Sequence, residues 1–380
     1  MAMQTAVSLL GGQVLTAHGE IVTGDVHIAD GQIIERPAAG AARIDCRGCH
    51  ILPAIVDVHG DAWEHEVQPR PGVDIALPIA LPWVDRQLLA NGIATAFHGL
   101  TLTWEPGARS LDAGRRFMDG LSTVRPRLTV DHRVQLRWET FAHETIADVL
   151  RWLGQRPTPV LAFNDHTTAT MEKVAAGKTP KLGQWAQRAG LTPPQYLAMV
   201  EDVSGRGPQV PARIAEVAAA GRRHGAVMLS HDERTLDERH ANRALGMTVC
   251  EFPLEVPVAA DAVAAGEHVI LGAPNVIRGG SHTGAMSAED AIRDNRCSVL
   301  ASDYYYPSLL HAIERLVGRG VLPLAKAWPL ISTNAAASMR LDDRGRISLG
   351  LRADVVVIDT SGPWRPIHTI AAGRVTSFPR

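Results

Sequence analysis

Hydrophobic and polar positions change rhythm along this chain. Between residues 5 and 36 they alternate, as in DVHIADGQIIERP, and Asp30-Gly31 breaks the alternation. A period of two around a turn dipeptide predicts a β-hairpin. RISLGLRADVVVIDTSG (346–362) and PIHTIAAGRVTS (366–377) carry the same β pattern near the other end. The middle differs. Short apolar runs recur at 51–58, 93–98, 134–137, 159–163, 226–229, 248–252, 268–271 and 298–301. Between them lie Ala-, Leu- and Arg-rich stretches at helical spacing, such as ARIAEVAAAGRRHG and LLHAIERLVGRG. Eight strand-like runs alternating with helices predict a parallel sheet, and the number eight favours a closed barrel. The expected fold is therefore α/β: a (β/α)8 TIM-like barrel over 51–345, with a small β-sandwich domain formed by both termini, 1–50 and 346–380. The interval 167–225 exceeds the needs of one βα unit, and EKVAAGKTPKLGQW within it reads as a lid or substrate-gripping insertion.

Composition narrows the class. The 380 residues are 46% hydrophobic and 21% charged, which suits a globular enzyme with a sizeable core. Lys and Arg (38) nearly balance Asp and Glu (40), so nothing favours nucleic acid or a membrane surface as partner. Four cysteines are too few for a disulfide framework. Cys46 and Cys49 form a C-x-x-C without a second ligand pair at zinc-site spacing, and read as ordinary thiols. No run reaches the roughly 18 apolar residues of a membrane span, and the N-terminus lacks the pattern of a secretory leader. A cytoplasmic location is expected.

The chemistry falls at the ends of the runs, where a barrel of this kind carries its active site. ILPAIVDVHGDAWEH ends in His59 and Asp61; the third run ends in Glu139, the fourth in Asp165 and His166. The fifth ends in His231 and Asp232, the sixth in Glu251, the eighth in Asp303. A single strand-end Asp is usually a helix cap and a single His a hydrogen-bonded one. Several of each converging on one rim are what a mono- or binuclear divalent centre needs, and the donors suit zinc, manganese or iron. His132 and His224 precede their runs and are expected at the opposite face. Trp63, Trp104 and Trp138 fall near the expected mouth, as packing or as the wall of a pocket.

The order of these residues resembles the amidohydrolase superfamily of metal-dependent hydrolases. LPAIVDVHGD is similar to its first strand, and STNAAASMRLDDRGRISLGLRADVVVID to its return from barrel to β domain. His59-Gly60-Asp61 stands where H-x-H is usual. With PRPGVD, LRWE, NDHT, LSHDE, EFP, GAPNVIRGGSHTG and SDYYYPSLL, it resembles the phosphonate-utilisation branch attached to the carbon–phosphorus lyase pathway. That resemblance implies hydrolysis of α-D-ribose 1-methylphosphonate 5-triphosphate to its 5-phosphate and pyrophosphate. It implies two divalent metal ions on His59, Asp61, Glu139, His166 and His231, with Glu139 bridging because no lysine stands at the fourth run. The resemblance also implies that Asp303 takes the proton of the attacking water, as base alone or as base and metal ligand together. Arg278 and His282 in VIRGGSHTG, with Lys178 and Arg70 as further cations, would hold the anionic substrate. A homodimer is the family-level expectation.

Two other classes compete. The same scaffold could hydrolyse a C–N bond of a cyclic amide or N-acyl compound, since one barrel hosts many substrates. A scaffold that had lost its metals would lack ligands, whereas competent donors stand at each expected position here.

Overall fold

The computed structural model describes residues 6–70, 72–177, 179, 182–280 and 286–379. Lys178 and His282 lie outside these described residues.

The alternating N-terminal segment folds into β1 (Val7–Leu15), β2 (Ile21–Ala29), β3 (Gln32–Ile34), β4 (Ala42–Asp45) and β5 (Cys49–Pro53). The central runs become β6 (Ile55–Gly60), β7 (Ile93–Leu102), β8 (Asp131–Glu139), β9 (Val160–Asn164), β10 (Met228–His231), β11 (Val249–Glu251), β12 (His268–Gly272) and β13 (Val299–Ala301). The C-terminal segment gives β14 (Val355–Asp359), β15 (Arg365–Ala371) and β16 (Arg374–Ser377). The terminal sheet runs in the order β16-β15-β14-β5-β1-β2-β3, with β4 on β1.

The apolar run at 51–58 serves both sheets. Ile51 to Pro53 pair antiparallel with β14, and after Ala54 the chain enters the barrel as β6. The strand that the sequence divided at residue 50 therefore continues to Pro53 within the terminal sheet. Apolarity alone cannot mark such a crossing, because the chain is buried continuously from Ile51 to Gly60.

The eight barrel strands pair parallel in chain order from β6 to β13. Closure is a backbone exchange at the rim: Asp303 N–H donates to the His59 carbonyl at 2.9 Å, and Asp61 N–H donates to the Asp303 carbonyl at 2.9 Å. The residues that close the barrel are thus flanked by those expected to do its chemistry. Near the strand starts, Val160, Val227, Val249 and Val299 pack with Met339 and Leu341 into an apolar plug. Beneath it, the buried Arg344 guanidinium donates to Thr95 Oγ1 at 2.8 Å and Asp131 Oδ2 at 2.7 Å, and its NH1 stands 3.8 Å from Asp354 Oδ2 beside β14. Among the described residues no helix is long and apolar enough to cross a membrane.

The long interval after β9 is helical, with His166–Ala175, Leu182–Arg188 and Pro193–Ser204 ahead of the barrel helix Val210–His224. A buried clasp fastens it to the loop after β7. Glu105 accepts from Tyr196 Oη at 2.6 Å and from Arg188 at 2.7 and 2.9 Å.

Candidate metal centre at the barrel rim

The rim is assembled by three strand ends that share one device. Asp232, Phe252 and Asp303 all take left-handed backbone, with φ of 58°, 51° and 57°. Such values are uncommon outside glycine and costly for a bulky residue. Each of the three still donates its N–H to a neighbouring strand, at Glu251, Ile270 and His59 respectively. The ladder therefore reaches the last residue, and the chain then turns sharply off the barrel.

His59 is fully buried, and its Nδ1 lies 2.9 Å from Glu251 Oε1. The same oxygen accepts from Gln135 Nε2 at 2.8 Å. A carboxylate can only accept, so His59 carries hydrogen on Nδ1 and turns Nε2 towards the rim. There it gathers with Asp61 and Asp303, one ligand atom from each lying within 4.8 Å of the others. Two further groupings of the same tightness occur: His59, His231 and Glu251, and at the mouth His166, His231 and Asp232.

Two buried acceptor atoms in this cluster, His59 Nε2 and Glu251 Oε2, lack a hydrogen-bond partner among the described residues. Unpaired buried polar atoms are costly, and two of them on residues that group with further carboxylates and imidazoles mark a place for a cation. Imidazole and carboxylate donors fit a divalent ion, and a carboxylate behind His59 is the arrangement that orients a ligating histidine. The charge balance agrees. Burial lowers the affinity of His59 for a proton, but Glu251 and Asp61 outweigh it and hold the imidazole above its ordinary value. Burial, reinforced by Asp61, pushes the Asp303 carboxyl up against the pull of His59 and Arg137. Asp232 sits at about 2, because His231, His166 and Arg137 overcome the penalty of its burial.

Glu139 stands outside these groupings. Its Oε1 accepts from Thr167 N at 3.2 Å and Thr167 Oγ1 at 2.8 Å, and its Oε2 from His166 N at 3.0 Å. The carboxylate anchors the start of helix His166–Ala175 and, 3.3 Å from His166 Nδ1, positions that imidazole. Asp165 caps the same helix, accepting from Thr168 N at 2.8 Å.

Arg137, absent from the candidates read from sequence, enters the middle of the cluster. Its side chain is 8% exposed, with NH2 3.2 Å from His231 Nε2 and NH1 3.6 Å from Asp61 Oδ2. Gln135 was likewise unread. The strand period of two gave the signal, since Gln135, Arg137 and Glu139 share one face of β8. Glycine at position 99 admits the guanidinium: a Cβ there would lie 3.2 Å from Arg137 Cδ and 3.6 Å from His59 Nε2.

Arg278, expected as a substrate cation, stands beside the donor cluster. It lines a cavity of about 200 Å³ with Asp232, Phe252, Asp303 and Tyr304. Arg70 does not; it is exposed in a turn closed by Val73. His132 lies at the start of its strand, at the face opposite the rim, as a structural residue. It is buried in β8, bonded to Asp85 at 3.0 Å and to His98 at 2.8 Å. Of the three tryptophans, Trp138 is core packing against Phe163. Trp104 donates to Thr167 Oγ1 at 2.8 Å and so braces the group that holds Glu139. Trp63 lines a separate cavity of about 370 Å³ with Phe117, Leu77 and Arg116.

A parallel barrel beside a sheet drawn from both termini is also the architecture of solved amidohydrolase structures, and this chain is similar to them in fold. It is 28% identical over 356 residues to the α-D-ribose 1-methylphosphonate 5-triphosphate diphosphatase of Escherichia coli (strain K12), a match spanning 90% of this chain and 93% of the relative. No protein-family model matches it. Among solved structures, the β-aspartyl dipeptidase of Fervidobacterium islandicum AW-1 superposes with a TM-score of 0.63 at 12% identity, over 99% of this chain and 97% of that one. The dihydropyrimidinase of Brevibacillus agri NCHU1002 gives 0.60 at 11%, over 98% and 95%. At such identities these structures speak for the fold alone.

Proposed function

We propose that the protein is a cytoplasmic hydrolase that cleaves the triphosphate of α-D-ribose 1-methylphosphonate 5-triphosphate, leaving the 5-phosphate and releasing pyrophosphate. The observation that carries this reading is the double position of Asp303. It belongs to the donor cluster with His59 and Asp61, and it also lines the cavity that holds Arg278.

Each residue then has a task. His59, Asp61 and Asp303 would hold the divalent ion, and His231, His166 and Asp232 form the outer edge of the centre. When bound, such an ion supplies Lewis acidity and a water of lowered pKa at neutral pH. Arg278 grips the anionic substrate from the side, its planar guanidinium matched to phosphate oxygens. Asp303, on the border between cluster and cavity, accepts the proton of the attacking water. Gln135 and His59 fix Glu251, and Glu251 in turn fixes the ring of His59.

The 28% identity to a diphosphatase supports the substrate. Hydrolysis of a C–N bond is the second reading, and the largely apolar wall of the Arg278 cavity, with Phe252, Leu254, Pro274 and Met286, favours it. A phosphorus NMR time course on manganese- or zinc-loaded protein separates the two. Growth of pyrophosphate and 5-phosphate signals is expected. An inert triphosphate in the presence of bound metal would discard this substrate and leave amides and lactams to be screened.

A further inference from the structure

We infer that Arg137 limits the centre to one divalent ion, its guanidinium standing in the gap that a second cation would need. This rests on the reading of the rim cluster as a metal centre.

The inference follows from counting lone pairs. A guanidinium donates and never accepts. At 3.2 Å from His231 Nε2, Arg137 NH2 therefore consumes the lone pair of that nitrogen. A neutral imidazole has one such pair, so the hydrogen of His231 lies on Nδ1, which faces Asp232 Oδ2 at 3.1 Å. With its lone pair turned to Arg137 and a hydrogen on the other nitrogen, His231 has nothing left to give a metal. Both groupings that contain His231 thereby lose their imidazole at the shared corner. The grouping of His59, Asp61 and Asp303 keeps its full complement. His59 Nε2 is buried and unpartnered, its hydrogen being on Nδ1 towards Glu251. Asp61 is 3.6 Å from Arg137 NH1 through one oxygen, which leaves the other for the ion.

Charge supports the same arrangement. Asp61, Asp232, Glu251 and Asp303 crowd one rim, and an isolated cation would leave much of that charge uncompensated. A fixed guanidinium with about 8% of its side chain exposed supplies a permanent positive charge without a second dissociable ion. Glu139, the carboxylate expected to bridge two ions, is held by Thr167 and the backbone of His166.

The test is the metal-to-protein ratio of the full chain, measured by plasma mass spectrometry after equilibration with excess zinc or manganese and desalting. Wild type is expected to hold one equivalent. Arg137→Met frees the His231 lone pair opposite Glu251 Oε2 and is expected to raise the ratio towards two. Arg137→Gln, which keeps some hydrogen bonding, serves as a second variant should the first fail to fold. Two equivalents in wild type would overturn the inference while leaving the metal centre intact. A folded variant that stays at one equivalent would overturn it as well, since Arg137 would then not set the number. No bound metal in wild type or variants would sink both this inference and the reading on which it rests.

Discussion

At the scale of single residues, the centre depends on side chains whose freedom has been removed in advance. Asp303 is placed by a strained backbone and two rim hydrogen bonds, so its carboxylate needs no search for position. Asp303→Asn is expected to lower kcat by at least about 100-fold, within the range that a positioned acid or base contributes. Activity within tenfold of wild type would remove Asp303 from the mechanism. Asp57 shows the structural counterpart. It accepts from Ser302 N at 3.0 Å and Ser302 Oγ at 2.6 Å, tying β6 to the end of β13. Asp57→Ala strands these buried donors and is expected to cost about 1–3 kcal/mol, read from the denaturant midpoint. A midpoint equal to that of wild type would show that the pair contributes nothing.

At the scale of elements, the insertion after β9 matters because its first helix presents Thr167 to Glu139 and its later helices lock onto Glu105. Tyr196→Phe removes a buried donor from that carboxylate, at an expected cost of about 1 kcal/mol. The loss should appear as faster hydrogen exchange in 182–204 with the barrel strands unchanged; uniform protection would show that the clasp does not hold the insertion. The elements themselves were largely legible. Each of the eight apolar runs contributed a barrel strand, since a strand buried on both faces needs a continuous apolar stretch. What escaped was pairing across distance. The run at 51–58 looks like one strand but serves two sheets, and Glu139, expected as a ligand, accepts from Thr167 and the backbone of His166 at the start of a helix. Arg137 was hidden because a basic residue inside a strand reads as solvated until its neighbours are known to be Asp61 and His231. Arg278 was legible from its place after the seventh run, next to two glycines. The C-x-x-C of Cys46 and Cys49 read as ordinary thiols, and both cysteines are buried in the core of the terminal sheet.

At the scale of the whole molecule, polar groups at the far end of the barrel join it to the terminal sheet, and the chemistry is kept away from them. Arg344 is buried with Asp131 and Asp354, and removing one partner of a buried ionic cluster leaves uncompensated charge. Arg344→Met is expected to destabilise the fold by about 3–5 kcal/mol with kcat nearly unchanged; a large loss of kcat in folded protein would show that the two ends are coupled. Acid sensitivity belongs to this scale too. Burial, then His132 and Arg125, hold His98 well below the ordinary histidine range. The unfolded chain then binds the proton first, so stability present at neutral pH is lost as pH falls below about 6.5. His98→Gln is expected to flatten that fall relative to wild type between pH 6.5 and 5, and an identical slope would contradict it.

The claim on which the rest depends is that the rim binds a metal through His59, Asp61 and Asp303. Anomalous diffraction from crystals grown with zinc, collected on either side of its absorption edge, tests this most directly. A peak within ligand distance of His59 Nε2 and both carboxylates is the expected result. A rim without anomalous density, in crystals whose zinc lies elsewhere, would contradict it.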